Sequence, residues 1–97
     1  MRFKRRVYEI NKYKCISLPV KTHGLVGKLK IKLLKVYRQD GSETEINLSF
    51  FRYVDKEWME KPRKNKPKWV FIPKIITDIY GINKGDYVEV EVTPIKH

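Results

Sequence analysis

Val88, Val90 and Val92 alternate with Glu89 and Glu91 near the end of the chain. This period of two predicts a strand with one dry face and one wet face. The residues before it set out a unit of strand, short helix and turn. Val70-Phe71-Ile72 are β-branched or aromatic and predict a strand. Pro73 suits the first helical position, where its missing N–H costs nothing. The helix should run about two turns, with Ile75, Ile76 and Ile79 on one side. Gly81 then stands where a positive φ is needed past the helix end, and Gly85-Asp86 closes a turn.

The same alternation recurs earlier. Leu29, Ile31 and Leu33 interleave with Lys28, Lys30 and Lys32, and Leu34 breaks the pattern, which predicts a bulge or full burial there. The lysine row reads first as a solvated strand face. Residues 4–10 read as an opening strand, Asn11 to Lys14 as a polar turn, and Cys15 to Pro19 as a second short strand. Asp40-Gly41 between two apolar runs is a hairpin signal, with Thr44 to Val54 as the returning strand and Ile46 and Leu48 on one face. Residues 61–68 form a basic loop held extended by Pro62 and Pro67.

Ninety-seven residues make one domain, and a hydrophobic fraction of 41% is enough for a core without covalent staples. A single cysteine excludes an internal disulfide, and Cys15 reads as a small apolar core residue. His23 and His97 have no Cys or acidic partner at ligand spacing, so neither a metal site nor a cofactor is expected. The basic start lacks the apolar run of a signal peptide, and no window reaches membrane-span length. A soluble, cytoplasmic protein is expected. The Lys-, Ile- and Glu-containing composition suggests a thermophile, with an archaeon as the expected source.

Charge changes the picture most. The chain carries +11, which predicts an anionic partner, nucleic acid first. It falls in blocks: residues 1–38 have 12 basic and 1 acidic residue, residues 39–60 have 2 and 6, residues 61–74 have 6 and 0, and residues 75–97 have 2 and 4. The two positive blocks each lie just before or within a strand that ends in proline.

Those strands belong to a repeat. Cys15-Ile16-Ser17-Leu18-Pro19 matches Trp69-Val70-Phe71-Ile72-Pro73, Gly24-Leu25 matches Gly81-Ile82, Gly27 matches Gly85, and Leu29, Ile31 and Leu33 match Val88, Val90 and Val92. The division is a degenerate first unit over 4–36, a connecting hairpin and strand over 37–60, and a basic loop with the second unit over 61–97. The order of Ile72-Pro73, Tyr80-Gly81-Ile82, Gly85-Asp86 and Val88–Val92 resembles the AbrB/SpoVT family of DNA-binding transcription regulators. The resemblance implies a mainly β fold with one short helix, the swapped-hairpin β-barrel, closed either in a homodimer or as a pseudo-dimer within one chain. It also implies a nucleoid-associated regulator that binds double-stranded DNA through basic turns and strand ends.

Carried onto this chain, the matching basic residues are Lys12 and Lys14 in the first turn and Arg63, Lys64, Lys66 and Lys68 in the longer turn before the second unit; Arg5, Arg6, Lys21 and Lys74 complete the expected DNA-binding set, with Arg63, Arg5 and Arg6 as the candidates for reading bases. Cys15 and Trp69 stand where the family often has arginine in its second strand. Two other classes remain open. One is an RNA- or single-strand-binding small barrel, with Tyr8, Tyr13, Phe51 and Tyr53 stacking bases. The other is an antitoxin-like protein-interaction module. Trp58 and Trp69 read as packing residues. No catalytic set is evident, so an enzyme is not expected.

Overall fold

The computed structural model describes residues 1–19, 27–54 and 68–95. Among these, seven strands and one helix follow in the order β1 (Arg2–Arg6), β2 (Tyr8–Ile10), β3 (Tyr13–Leu18), β4 (Gly27–Tyr37), β5 (Glu43–Val54), β6 (Lys68–Phe71), α1 (Lys74–Tyr80) and β7 (Tyr87–Pro94). The fold is mainly β with one short helix. A four-stranded sheet has the order β1-β7-β4-β5 and a three-stranded sheet the order β2-β3-β6. Every pairing is antiparallel. The expected barrel is not closed among the described residues: β1 and β5 form the edges of one sheet, β2 and β6 those of the other.

The apolar alternation sets the core. Leu29, Ile31, Leu33 and Val36 of β4 and Val88, Val90 and Val92 of β7 are all fully buried. They cluster with Ile16 and Leu18 of β3, Val70 of β6, Ile72, and Ile76 and Ile82 around the helix. Removing an aliphatic side chain of this kind from water contributes about 1.5–3 kcal/mol, which outweighs any single surface contact in the molecule. At Leu34 the register slips against both β5 and β7, so the break in alternation is a bulge, and Leu34 is half-buried.

The opening strand divides in two at Val7, where one strand over 4–10 is expected. Val7 is fully buried; its N–H donates to the Asp86 carbonyl and its carbonyl accepts from the Gly85 N–H, both at 2.8 Å. These bonds turn the chain from the large sheet into the small one. The helix also differs from expectation. Its buried residues are Ile76 and Thr77, while Ile75 and Ile79 are 68% and 66% exposed. Pro73 sits at the cap, with φ −51° and ψ 131°, one residue before the helix where the first helical position is expected, and Ile76 is the helix residue that joins the core cluster. Gly81 closes the helix in the left-handed region, at φ 60°.

The pairing sets the matched segments of the repeat beside each other, β3 against β6 and β4 against β7, and the exchange of one copy for the other keeps their register, as in any regular antiparallel ladder. In the small sheet Cys15 faces Phe71, Ile16 faces Val70 and Ser17 faces Trp69. Exchanging Cys15 with Trp69, Ile16 with Val70 and Ser17 with Phe71 leaves those three pairs unchanged. In the large sheet Ile31 faces Val92, Lys32 faces Glu91 and Leu33 faces Val90. Exchanging Ile31 with Val90, Lys32 with Glu91 and Leu33 with Val92 again changes nothing. The sheet order β1-β7-β4-β5 maps onto itself under the same exchange, with β1 taking the place of β5.

Candidate nucleic-acid interface

Side chains directly opposite each other in an antiparallel sheet share a face. The register therefore sorts the large sheet into a core side and an outer side. On the outer side, β4 presents Lys28, Lys30 and Lys32, opposite Tyr53, Phe51 and Ser49 of β5. Phe51 is 53% and Tyr53 is 73% exposed, and the Lys28 ammonium lies 4.6 Å from the Phe51 ring centroid. At the other edge β1 presents Arg2, Lys4 and Arg6, opposite Glu91, Glu89 and Tyr87 of β7.

Electrostatics divides these two halves. Arg2 pairs with Glu91 at 3.5 Å on an exposed surface. Tyr37 donates its phenolic proton to Glu89 Oε1 at 3.2 Å, and desolvation together with that carboxylate raises the Tyr37 pKa. The Lys4 ammonium stands 3.8 Å from the Tyr37 ring centroid. Lys35 is held by Glu43 at 2.8 Å, and the hydrogen bond raises its pKa. The rows of Lys28 and Lys30 contain Tyr53, Phe51 and Thr93 and no carboxylate among the described residues. The Lys28–Lys30 end of the β4–β5 half is thus cationic and aromatic, while its Lys35 end, held by Glu43, and most of the β1–β7 half are compensated.

The outer side of the small sheet is aromatic. Tyr8 meets Trp69 edge to face at 5.3 Å between centroids, and Tyr13 meets Phe71 at 6.2 Å. Cys15 lies fully buried in the row with Tyr8 and Phe71, donates to the Tyr8 carbonyl at 3.6 Å, and has its thiol pKa pushed up by burial. A packed, inert thiol accords with its sequence pattern.

The described members of the predicted DNA-binding set stand on β1, the β2–β3 turn, β3, β6 and α1. Arg6 is exposed at the end of β1, Lys12 is exposed in the β2–β3 turn at φ 70°, and Lys74 is exposed at the start of α1. Lys14 bonds Glu9 at 2.7 Å, and that hydrogen bond is the main reason the Glu9 pKa is lowered. Arg5 lies on the core-side row, opposite Val88, half-buried, with its Nε buried and without a hydrogen-bond partner among the described residues. Lys68 begins β6. Lys21, Arg63, Lys64 and Lys66 lie outside the described residues, as does Trp58. A cavity of about 420 Å³, lined by Arg6, Glu9, Gln39 and Lys84 among others, opens beside the Val7 crossing.

Residue patterns alone missed two things. One is the alignment of the lysine row with Phe51 and Tyr53, which depends on the β4–β5 register. The other was legible: Phe3-Lys4-Arg5-Arg6-Val7 and Phe50-Phe51-Arg52-Tyr53-Val54 share the spacing Phe-x-Arg-x-Val. The register places them alike. Phe3 and Arg5 face Val90 and Val88, while Phe50 and Arg52 face Ile31 and Leu29.

Compared with protein-family models, curated proteins and solved structures, the chain matches none. Among the described residues no helix is long and apolar enough to cross a membrane, and no three His, Cys, Asp or Glu side chains stand close enough to hold a metal ion.

Proposed function

We propose that the chain is a DNA-binding transcription regulator of the AbrB type, built as two units about an internal twofold axis in one polypeptide. The observation that carries this reading is that the matched strands lie beside each other, β3 against β6 and β4 against β7, in a large sheet whose order β1-β7-β4-β5 reads the same under the exchange. A twofold axis between equivalent strands produces such an arrangement. The Phe-x-Arg-x-Val segments on β1 and β5 support it independently. A twofold protein suits a duplex whose half-sites are related in the same way.

The net charge of +11 supplies the attraction. Under the exchange that relates Cys15 to Trp69, Lys12 corresponds to Lys66 and Lys14 to Lys68. The exposed Lys12 turn thus has a basic counterpart in the second unit. Together with Arg6 and Lys74 these residues form the proposed duplex contact, chiefly to phosphates, which position the protein without reading bases. Arg63 has the fork geometry to pair with guanine.

A mobility-shift titration over salt concentration tests the proposal. Log K should fall linearly with log salt, with a slope of about −0.9 for each phosphate contact. Replacing Arg63, Lys64 and Lys66 together with glutamate should abolish the shift. A flat salt dependence would reject phosphate-driven binding, and an unaltered shift in the triple variant would reject the assigned contacts.

A further inference from the structure

The exchange that leaves the backbone register unchanged does not preserve the chemistry of the outer face. It relates Lys28, Lys30 and Lys32 to Tyr87, Glu89 and Glu91, and Ser49, Phe51 and Tyr53 to Arg2, Lys4 and Arg6. One half sets the cations of β1 against the carboxylates of β7. The other sets the lysines of β4 against the exposed rings of β5. From this we infer a second nucleic-acid site, distinct from the duplex contact: the β4–β5 half of the outer face is a stacking platform for single-stranded DNA.

Three observations carry the inference. First, Phe51 and Tyr53 are exposed, neighbours on one face of one strand, and each faces a lysine across the register. Hydrophobic rings standing this far into solvent make no core contribution that would explain both. Second, the Lys28 ammonium sits 4.6 Å from the Phe51 ring centroid, so that ring is reached by a cation, not covered by other side chains alone. A base that takes over the ring releases the ammonium to a phosphate. Third, the spacing excludes a duplex as the stacking ligand. Residues two apart on a strand are separated by about 6.8 Å, twice the rise of about 3.4 Å between stacked base pairs. Bases resting on both rings must be unstacked from each other, which a single strand permits and a duplex does not.

The flanking lysines give the strand its electrostatic track. Lys28, Lys30 and Lys32 form one row along β4, and Glu91, the carboxylate opposite Lys32, is engaged by Arg2. A stacking row beside a cationic row is the arrangement that holds single strands without base-specific readout. The choice of DNA over RNA rests on the function proposed above, since a regulator on duplex DNA meets its melted strand; no residue of the platform is assigned to a ribose hydroxyl.

The test is fluorescence anisotropy with three labelled probes of one sequence: single-stranded DNA, its duplex, and single-stranded RNA. The variant Phe51→Ala/Tyr53→Ala removes only exposed rings, and circular dichroism verifies its fold. The expected result is that wild-type protein binds the single-stranded DNA, that the variant binds it about tenfold or more weakly, and that duplex affinity stays within about twofold. Unchanged single-strand affinity in a folded variant overturns the platform, as does an equal loss on duplex and single strand. Tighter binding of the RNA probe overturns the assignment to DNA. If the wild type binds duplex and not single strands, the inference fails and the proposed regulator stands. If it binds single strands and not duplex, the proposed regulator fails and the platform stands.

Discussion

Asp86 shows how one side chain fixes the junction of the two sheets. It is 3% exposed, and its carboxylate accepts from the Asn83 N–H at 2.9 Å and the Gln39 N–H at 3.3 Å. Its own carbonyl accepts the Val7 N–H where the chain changes sheets. Gly85 beside it has φ 92°, a backbone conformation that suits glycine; the atoms a Cβ there would meet belong to the flexible end of the Gln39 side chain, so the backbone sets the restriction. Asp86→Ala strips two amides of their acceptor and should cost about 1–3 kcal/mol. Urea unfolding should show a lower midpoint with unchanged slope, and Asp86→Asn should recover part of it. A midpoint equal to wild type would mean that water replaces the carboxylate without loss. The pair Gly85-Asp86 was legible as a turn; that it anchors Val7 was not, because the two sites are far apart in sequence.

At the scale of elements, the helix is the place where a short period misleads. Ile75, Ile76 and Ile79 all lie within an arc compatible with a seven-residue helix, and the sequence offers no means of choosing which edge of that arc is buried. Packing against the core cluster chooses Ile76, and Thr77 is buried beside it. Ile75→Ser/Ile79→Ser should therefore change stability by about 0.5 kcal/mol or less per site, as for ordinary surface positions. Ile76→Ala should cost about 2 kcal/mol or more, because it opens a gap in the core cluster. Thermal unfolding of the two variants decides the matter, and a larger loss in the double serine variant would show that the exposed isoleucines are covered. The strands behave differently. β4 and β7 follow their alternation through to burial, since a period of two leaves only two faces, and the apolar one must turn inward.

At the scale of the whole molecule, charge and register act separately. A net charge of +11 repels itself, and in two rows of the β4–β5 half of the outer face the lysines have no compensating carboxylate among the described residues. Screening shortens from about 30 Å at 0.01 M salt to about 8 Å at 0.15 M. The free protein should gain a few degrees in Tm over that range, read by calorimetry without nucleic acid. A fall in Tm would instead mean that ion pairs such as Lys14–Glu9 and Lys35–Glu43 outweigh the repulsion. Register, by contrast, is insensitive to net charge. It is set by which apolar residues meet across β3–β6 and β4–β7.

By itself the sequence determined most of the strand segments, where the tight turns fall, which aliphatic residues of β4 and β7 are buried and that the chain is cationic. Each depends on spacings of a few residues, where backbone geometry allows few alternatives. It also contained the matched strand–Pro–Gly units and the Phe-x-Arg-x-Val pair, the latter visible only once the two copies are aligned. Tertiary structure alone decided that the opening strand breaks at Val7 and that the described strands form two sheets with free edges. It also decided that Arg5 lies on the core side while Lys28, Lys30 and Lys32 share rows with Tyr53, Phe51 and Ser49. Those outcomes depend on pairings between residues some twenty to eighty positions apart. No local periodicity encodes them, because shifting a pairing by one residue would carry every side chain of that strand to the opposite face.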